Sequence, residues 1–475
     1  MINLLFYRKK KYSFIIILKF NIIKKNFQFL LKRVKLFYII FIFSILIYKN
    51  FKKKNNIIIP KYLNINLNNL KKNKIKLGIY ALSLRNGGRA RITCILVNFL
   101  SKINIFNIYL YTISNKNKNE YPIPNNIKRI TLKNNLLQKI KENQIDILIY
   151  QLSDIKEIEF LNKQNKIKVI FYIHSSIFYW FYTNKYYYFK QLYKAYKNAK
   201  YIITIVPLEN DYVFKKWGIN SILMNNFITY EYDSVIPSDL SSKTILTIGR
   251  ASSKKKRIDL GIKAMKYILT EIPECQLKII SKLSGTESLQ NLINKLHLEK
   301  NIEFVGYTLK PEQYFKNASL HLFPSLTESF GMVLAETKIY GIPNILLGLD
   351  YVSIAKGGTI IIYDDQPKTI AKEAIKILQN YRYRKKLGKE ARKSMKKYNN
   401  QLLKIKWIEL ILSIYKGDYY YEMFKKKGNE LSTKYSLYLL NNQSKLFKLR
   451  LKDFKGINIK QFENFTYLET LQYFN

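Results

Sequence analysis

Glu328 and Glu336 bracket the stretch Glu328-Ser-Phe-Gly-Met-Val-Leu-Ala-Glu336. A Ser-Phe-Gly turn and the first turns of an apolar helix separate the two carboxylates. Pro324-Ser325 precedes them and Tyr340-Gly341-Ile342-Pro343 follows. Such a stretch can hold a sugar nucleotide. Glu328 sits in a loop, where its carboxylate can face a sugar. The unpaired backbone amides at the helix start favour a phosphate. Glu336 lies roughly one and a half turns into the helix and can accept hydrogen bonds from ribose hydroxyls. The alternative for two such glutamates is an amphipathic helix with solvated acids. A second candidate is Gly87-Gly88, between a strand and its helix, where glycines let backbone approach a phosphate or sugar closely. Taken alone, that pair reads first as a plain turn.

The surrounding residues decide between these readings. Phe323-Pro-Ser-Leu-Thr-Glu-Ser-Phe-Gly331, with Ala335-Glu336 and Gly341-Ile-Pro343, resembles the donor-site signature of retaining glycosyltransferases of family 4. Spacing, glycines and both acids agree, and the resemblance spans roughly residues 76 to 415. It implies that Glu328 contacts the transferred sugar. It also implies that Ser329, Phe330 and Gly331 lend backbone to the donor and that Glu336 holds the ribose. Gly249-Arg250 and Lys256 match the family's Gly-Arg…Lys element, whose cations neutralise the donor diphosphate, with Gly87 and Gly88 beside it. Cations aimed at a leaving diphosphate lower the barrier to its departure. The loop Lys254-Lys-Lys-Arg257 is one residue longer than usual, so Lys255 is an alternative to Lys256; without the resemblance it would read as a solvated basic run. His174, at a strand end in Phe171-Tyr-Ile-His-Ser-Ser176, corresponds to a histidine that points at the transferred sugar. Its alternative is a half-buried ring bonded to backbone. One departure stands out: Ala90 occupies the place of the family's Glu after Gly-Gly, which bears on the acceptor. No acid is placed as the nucleophile of a two-carboxylate retaining mechanism. The expected route is a same-face displacement assisted by the leaving phosphate, with no metal and no cofactor.

Positioning these residues requires strands that end in loops. Lys76–Tyr80 reads as a strand, then a loop through Gly87-Gly88, then a helix over about 89–102. Strands follow near 107–113, 146–151, 168–174 and 201–206. The pattern restarts at Thr244–Ile248, followed by Gly249-Arg250 and a helix over about 259–269. Further strands fall near 276–281, 302–305, 320–323, 344–347 and 358–363. Helices fall near 289–296, 311–315, 367–378 and 402–415. Strand–helix alternation of this kind gives parallel, helix-covered sheets. The fold class is therefore α/β: two Rossmann-like doubly wound domains facing across a cleft (the GT-B arrangement), with an N-terminal hydrophobic anchor. The first domain covers 76–232 on the acceptor side and the second 243–400 on the donor side. A hinge is expected over Glu231–Ser242, and a closing helix over 401–416. Residues 417–475 form an extension without an assigned role.

Composition bounds the rest. The 475 residues carry a net charge of +50, with 48% hydrophobic content. No acidic residue precedes Glu120, and residues 1–75 hold 16 Lys and 2 Arg. Lys, Asn, Ile and Tyr dominate everywhere, a pattern of base composition as much as of nucleic-acid binding. Three histidines exclude a His-rich metal site, and no Asp-x-Asp triplet is present. Cys94 and Cys275 lie in apolar stretches of different halves and read as buried thiols. After a basic leader at 1–35, Leu36–Tyr48 is an uninterrupted apolar run. As a helix it would be about 20 Å long, short of the ~30 Å hydrocarbon core unless Lys35 and Lys49 snorkel. It reads as a single-pass N-terminal membrane anchor followed by a Lys/Asn-rich linker at 49–75. An interfacial helix and a soluble leader are the alternatives.

The expected activity is transfer of a sugar from a nucleotide-sugar donor to a glycan, lipid or protein acceptor, with retention. An inactive scaffold of the same fold is one rival. A basic nucleic-acid-associated protein is another, but no groove-reading helix or aromatic–basic RNA motif is present.

Overall fold

The structure, a computed structural model, describes residues 60–428 apart from short internal stretches, the longest being 175–185. The leader, the apolar run at 36–48 and the chain beyond 428 lie outside the described residues. Among the described residues no helix is long and apolar enough to cross a membrane.

Two parallel sheets account for the alternation. The first holds seven strands: β1 (Ile75–Ala81), β2 (Phe106–Thr112), β3 (Lys128–Thr131), β4 (Ile147–Tyr150), β5 (Lys168–Tyr172), β6 (Tyr201–Thr204) and β7 (Ile222–Leu223). Their spatial order is β3-β2-β1-β4-β5-β6-β7. The second holds six: β8 (Thr244–Ile248), β9 (Gln276–Ile280), β10 (Ile302–Phe304), β11 (Leu320–Phe323), β12 (Asn344–Leu347) and β13 (Thr359–Ile362), ordered β10-β9-β8-β11-β12-β13. Each sheet winds outward from its first strand in both directions. Ligands in such sheets sit beyond the carboxyl ends of the strands, where the winding reverses. The central strands are buried on both faces because helices cover them, as for Leu320–Phe323 and Asn344–Leu347. Helix Ile258–Ile268 illustrates the packing: Ile258, Ile262, Met265 and Ile268 enter one core with Leu277, Ile279, Leu320 and Leu322.

The chain crosses between the sheets twice, and the two crossings are tied together. Asn400 accepts from the Ile228 amide and donates to the Ile228 carbonyl, both at 2.9 Å, and donates to Glu231 at 2.9 Å. Arg392 donates to the carbonyls of Ile339, Tyr232 and Val235 at 2.7, 2.8 and 2.9 Å. The stretch expected as a hinge is thus fastened at its start by two side chains from the far end of the second half.

Helix Asn400–Lys416 returns to the first sheet. Its Trp407 is fully buried and meets Tyr172 edge-on, with ring centroids 5.3 Å apart. Lys168 donates to the carbonyls of Ile414 and Tyr415 at 2.8 and 2.9 Å.

The expected linker at 49–75 needs correction over its described part. Residues 61–63 form a 3-10 turn and Leu67–Lys72 a helix capped by Asn66. Leu63 is buried, Tyr62 donates to Glu409 at 2.7 Å, and Lys416 donates to the Leu63 carbonyl at 2.7 Å. A segment with apolar anchors docks instead of spanning. The start of the C-terminal extension also docks: helix Asp418–Gly428 buries Tyr421 against Tyr201, centroids 4.7 Å apart. Cys94 and Cys275 are both buried thiols, and burial pushes each up to about 12.

Candidate active site

The chemistry-bearing residues all sit where strands end. Gly87 and Gly88 follow β1, and His174 follows β5. Arg250 and the 3-10 turn Lys254–Lys256 follow β8. Glu328 to Gly331 follow β11 and lead into helix Met332–Ile339. These loops enclose one cavity of about 420 Å³. Gly87, Gly88, His174, Arg250, Lys256, Glu328, Ser329, Phe330, Gly331 and Glu336 all line it. The structure therefore brings every expected site residue together, from both halves of the chain. Ala90, the departure noted in the glycine loop, is buried and is not among the lining residues.

Local backbone explains how the walls approach. Gly331 adopts φ +79° at the N-cap of helix Met332–Ile339, a left-handed conformation that a side chain would strain. Gly88 serves a different purpose: a Cβ there would stand 3.0 Å from Met332 Cγ. Its missing side chain lets the glycine loop of the first half touch the helix start of the second. Ser329 donates to the His174 carbonyl at 2.7 Å, a second contact between the halves. Phe330 is buried and meets Tyr398 edge-on at 5.7 Å, which anchors the loop.

Charge is organised in pairs. Lys256 and Glu328 form a half-buried ion pair. Lys256 Nζ also lies 5.5 Å from the Phe323 ring centroid. Lys255 lines the same wall, and its carbonyl accepts from the Leu326 amide at 2.8 Å. Burial pulls the Lys255 ammonium below its ordinary value; Glu328 opposes this, while Lys256, Arg250 and Arg89 add to it. Two of the three lysines of the longer loop, Lys255 and Lys256, thus reach the cavity, and Lys256 is the one paired with Glu328.

Glu336 is almost wholly buried. Its Oε1 is paired with Arg91 and accepts from Thr229 at 2.7 Å. Arg91 in turn donates to the Tyr121 hydroxyl at 3.1 Å and lies over that ring. Among the described residues neither bond uses Oε2, which leaves that oxygen for a ligand. Sequence reasoning did not anticipate Arg91, Thr229 or Tyr121 as partners of Glu336. The one available signal was the position of Arg91 in the Gly-Gly loop.

His174 packs against Tyr172 with the rings tilted by 49° and centroids 4.0 Å apart. Its Nε2 is enclosed and has no hydrogen-bond partner among the described residues. Burial, then the nearby Arg89, hold the ring well below the ordinary histidine range, so it is neutral at pH 7. A neutral imidazole can accept or donate to a sugar hydroxyl without adding charge. Among the described residues no group of three or more His, Cys, Asp or Glu is arranged to hold a metal ion.

Residues 231–394 match the family model for glycosyl transferases group 1. That stretch contains the whole second sheet, Arg250, Lys256 and both glutamates. Over these residues the chain is similar to the group 1 glycosyltransferases. Outside and across that stretch the chain is 26% identical over 288 residues to an uncharacterized glycosyltransferase of Haemophilus influenzae, covering 56% of this chain and 79% of the relative. It is 24% identical over 231 residues to a poly(glycerol-phosphate) alpha-glucosyltransferase of Bacillus subtilis. That match covers 48% of this chain and only 34% of the relative, about a third of its length. Among solved structures, Anabaena HepE in complex with UDP and glucose aligns with TM-score 0.58 at 14% identity, over 71% of this chain and all of that one. At that identity the likeness is one of fold. The matched stretch and the sheet before it together form the GT-B arrangement.

Proposed function

We propose that this chain transfers a sugar from a nucleotide-sugar donor to a glycan, lipid or protein acceptor with retention of anomeric configuration. The observation that carries this reading is the convergence of His174, Arg250, Lys256, Glu328 and Glu336, from two sheets, on one cavity. In this reading residues 243–400 hold the donor and residues 76–232 the acceptor side. Arg250 and Lys256 oppose the charge of the diphosphate, and that charge grows as the bond to the sugar breaks. Helix Met332–Ile339 offers its amide end to the same phosphates. Glu336 Oε2 accepts from the ribose. Glu328 and the neutral His174 orient the sugar. HepE, which aligns in fold, is seen with UDP and glucose, and this supports a nucleoside diphosphate as the leaving group.

Both acids of the cavity are bound to cations, Glu328 to Lys256 and Glu336 to Arg91. Neither is presented as a nucleophile. The reading therefore uses a same-face displacement. The acceptor oxygen bonds to the anomeric carbon as the bond to phosphate breaks, and the acceptor proton passes to the departing phosphate oxygen. No metal or cofactor takes part in this scheme. The apolar run at 36–48 is proposed as the anchor that holds the enzyme at a membrane. Incubation of the full chain with a panel of UDP- and GDP-sugars tests the central reading through release of the nucleoside diphosphate. Release from at least one donor supports it; release from none of them refutes it.

A further inference from the structure

Three fully buried polar side chains meet beneath helix Met332–Ile339: His321 on β11, Thr337 on the helix and Asn344 on β12. His321 and Asn344 stand opposite each other in the strand register. Their sequence neighbours Leu320, Leu322 and Ile345 are buried and apolar. The bond directions are fixed. Asn344 Nδ2 donates to the Ile342 carbonyl at 2.7 Å, which turns Oδ1 toward the other two side chains. Oδ1 lies 2.7 Å from His321 Nδ1 and accepts from the Thr337 hydroxyl at 2.9 Å. An amide oxygen only accepts, so Nδ1 carries the ring proton. Nε2 is enclosed and has no hydrogen-bond partner among the described residues. Burial lowers the ring to about 4, with the Asn344 bond opposing and Lys256 adding to it. The cluster is therefore uncharged at pH 7.

A buried polar cluster carries a desolvation cost that an apolar patch of the same volume does not. Its distinctive contribution is direction, because hydrogen bonds weaken steeply off angle. That direction matters at the adjacent residue. Glu336 precedes Thr337, and successive helical residues are turned by about 100°. Fixing Thr337 against the sheet therefore fixes the heading of Glu336 toward the cavity and Arg91. The His321 ring also lies 5.4 Å from that of Phe323, which in turn lies 5.5 Å from Lys256 Nζ. The cluster thus stands behind both the carboxylate assigned to the ribose and the wall that carries the diphosphate lysine. None of the three residues lines the cavity.

We propose that His321, Thr337 and Asn344 are positioning residues for the donor: they set the rotation of helix Met332–Ile339 and with it the placement of Glu336. This rests on the donor reading above, in which Glu336 accepts from the ribose.

The test compares the full wild-type chain with Thr337→Val, Thr337→Ser and the apolar triple variant His321→Leu/Thr337→Val/Asn344→Leu. Isothermal titration reads UDP and GDP affinity. Steady-state kinetics read KM and kcat for the nucleotide-sugar that wild type uses, and thermal unfolding reads Tm. Thr337→Val should weaken the nucleotide and raise the donor KM about five- to tenfold with kcat within about twofold, as expected for a contact equal in ground and transition states. Thr337→Ser, which keeps the hydroxyl, should stay within about twofold of wild type in both. The triple variant leaves no polar side chain orphaned, so it should unfold no lower than Thr337→Val and still bind the nucleotide as weakly. A merely structural role would instead make affinity follow the melting temperature. Wild-type affinity and KM in Thr337→Val and the triple variant overturn the proposal and leave the donor reading intact. So does equal impairment of Thr337→Ser and Thr337→Val, or a loss confined to kcat. If the triple variant does not fold, the two Thr337 variants decide. If neither UDP nor GDP binds wild-type protein, the donor reading fails and this inference fails with it.

Discussion

Arg91 on helix Gly88–Leu100 is ion-paired with Glu336 on helix Met332–Ile339, 245 residues further along the chain. The contact joins the two halves at the back of the cavity. It also fixes the carboxylate assigned to the ribose, so one residue pair both closes the cleft and shapes the donor site. The side chain of Glu336 is 2% exposed. Removing its cation leaves a buried charge, which costs on the order of 3–5 kcal/mol. Arg91→Met should therefore lower the melting temperature by several degrees. Adding Glu336→Gln should recover part of that loss, because the orphaned charge disappears. Glu336→Ala alone should raise the donor KM about tenfold with a smaller change in kcat, as lost ribose bonds dictate. Thermal unfolding and donor kinetics of the three variants check this, and additive losses in the double variant would count against the coupling.

Arg250 and Lys256 face the diphosphate in both ground and transition states. Arg250→Ala and Lys256→Ala should weaken donor binding and turnover together, with kcat/KM falling about 10²–10³-fold. Chelator should leave wild-type activity within about twofold. Steady-state kinetics with and without chelator read both. A chelator loss restored by added metal would overturn the scheme.

The parts of this fold that were legible in the sequence share one property. Parallel strands covered on both faces are continuous apolar runs, and Thr244–Ile248, Leu320–Phe323 and Asn344–Leu347 fall where their composition puts them. β3 was missed because Lys128–Thr131 is an edge strand with no buried residue, and β7 because two residues carry no periodicity. The cavity wall of the second half was legible because its residues are close in sequence and match a known spacing. Arg91 and Thr229 were not, since their partner Glu336 lies 245 and 107 residues away and no local pattern encodes such a pairing. Lys338 is another case. A lysine in the helical pattern reads as solvent-facing, yet every residue from Leu334 to Ile339 is buried.

Lys338 donates to the carbonyl of Lys356 at 2.7 Å and also bonds that of Ile354, holding the loop beyond β12. Burial lowers its ammonium to about 7, against roughly 10.4 in an unfolded chain. The unfolded state then binds more protons than the folded state between those values, so this group adds stability as pH rises from about 7 to about 10. Below about 7 its contribution is flat and already lost. Lys338→Met removes that dependence. Denaturant unfolding at pH 7, 8.5 and 10 should show the stability difference between wild type and Lys338→Met growing with pH in favour of wild type. A difference that stays constant with pH would contradict the assignment.

His174 is held neutral by burial and by Arg89. Because its folded value lies below the ordinary 6.5, the ring stays unprotonated through the range in which a solvated histidine titrates. Turnover should therefore show no histidine inflection between pH 6 and 8, and His174→Ala should lower kcat about 10–100-fold without introducing one. A wild-type inflection near 6.5 that vanishes in His174→Ala would show the ring titrating in the working enzyme.

Glu328 bears the central claim, that this cavity transfers a sugar from a nucleotide donor. Its partner Lys256 belongs to the diphosphate clamp, while its carboxylate is assigned to the sugar. The most direct measurement compares wild type with Glu328→Gln for nucleoside diphosphate affinity and for turnover of the active nucleotide-sugar. The account predicts nucleotide affinity within about threefold of wild type and turnover reduced about 10²-fold or more. Wild-type turnover in Glu328→Gln would contradict it.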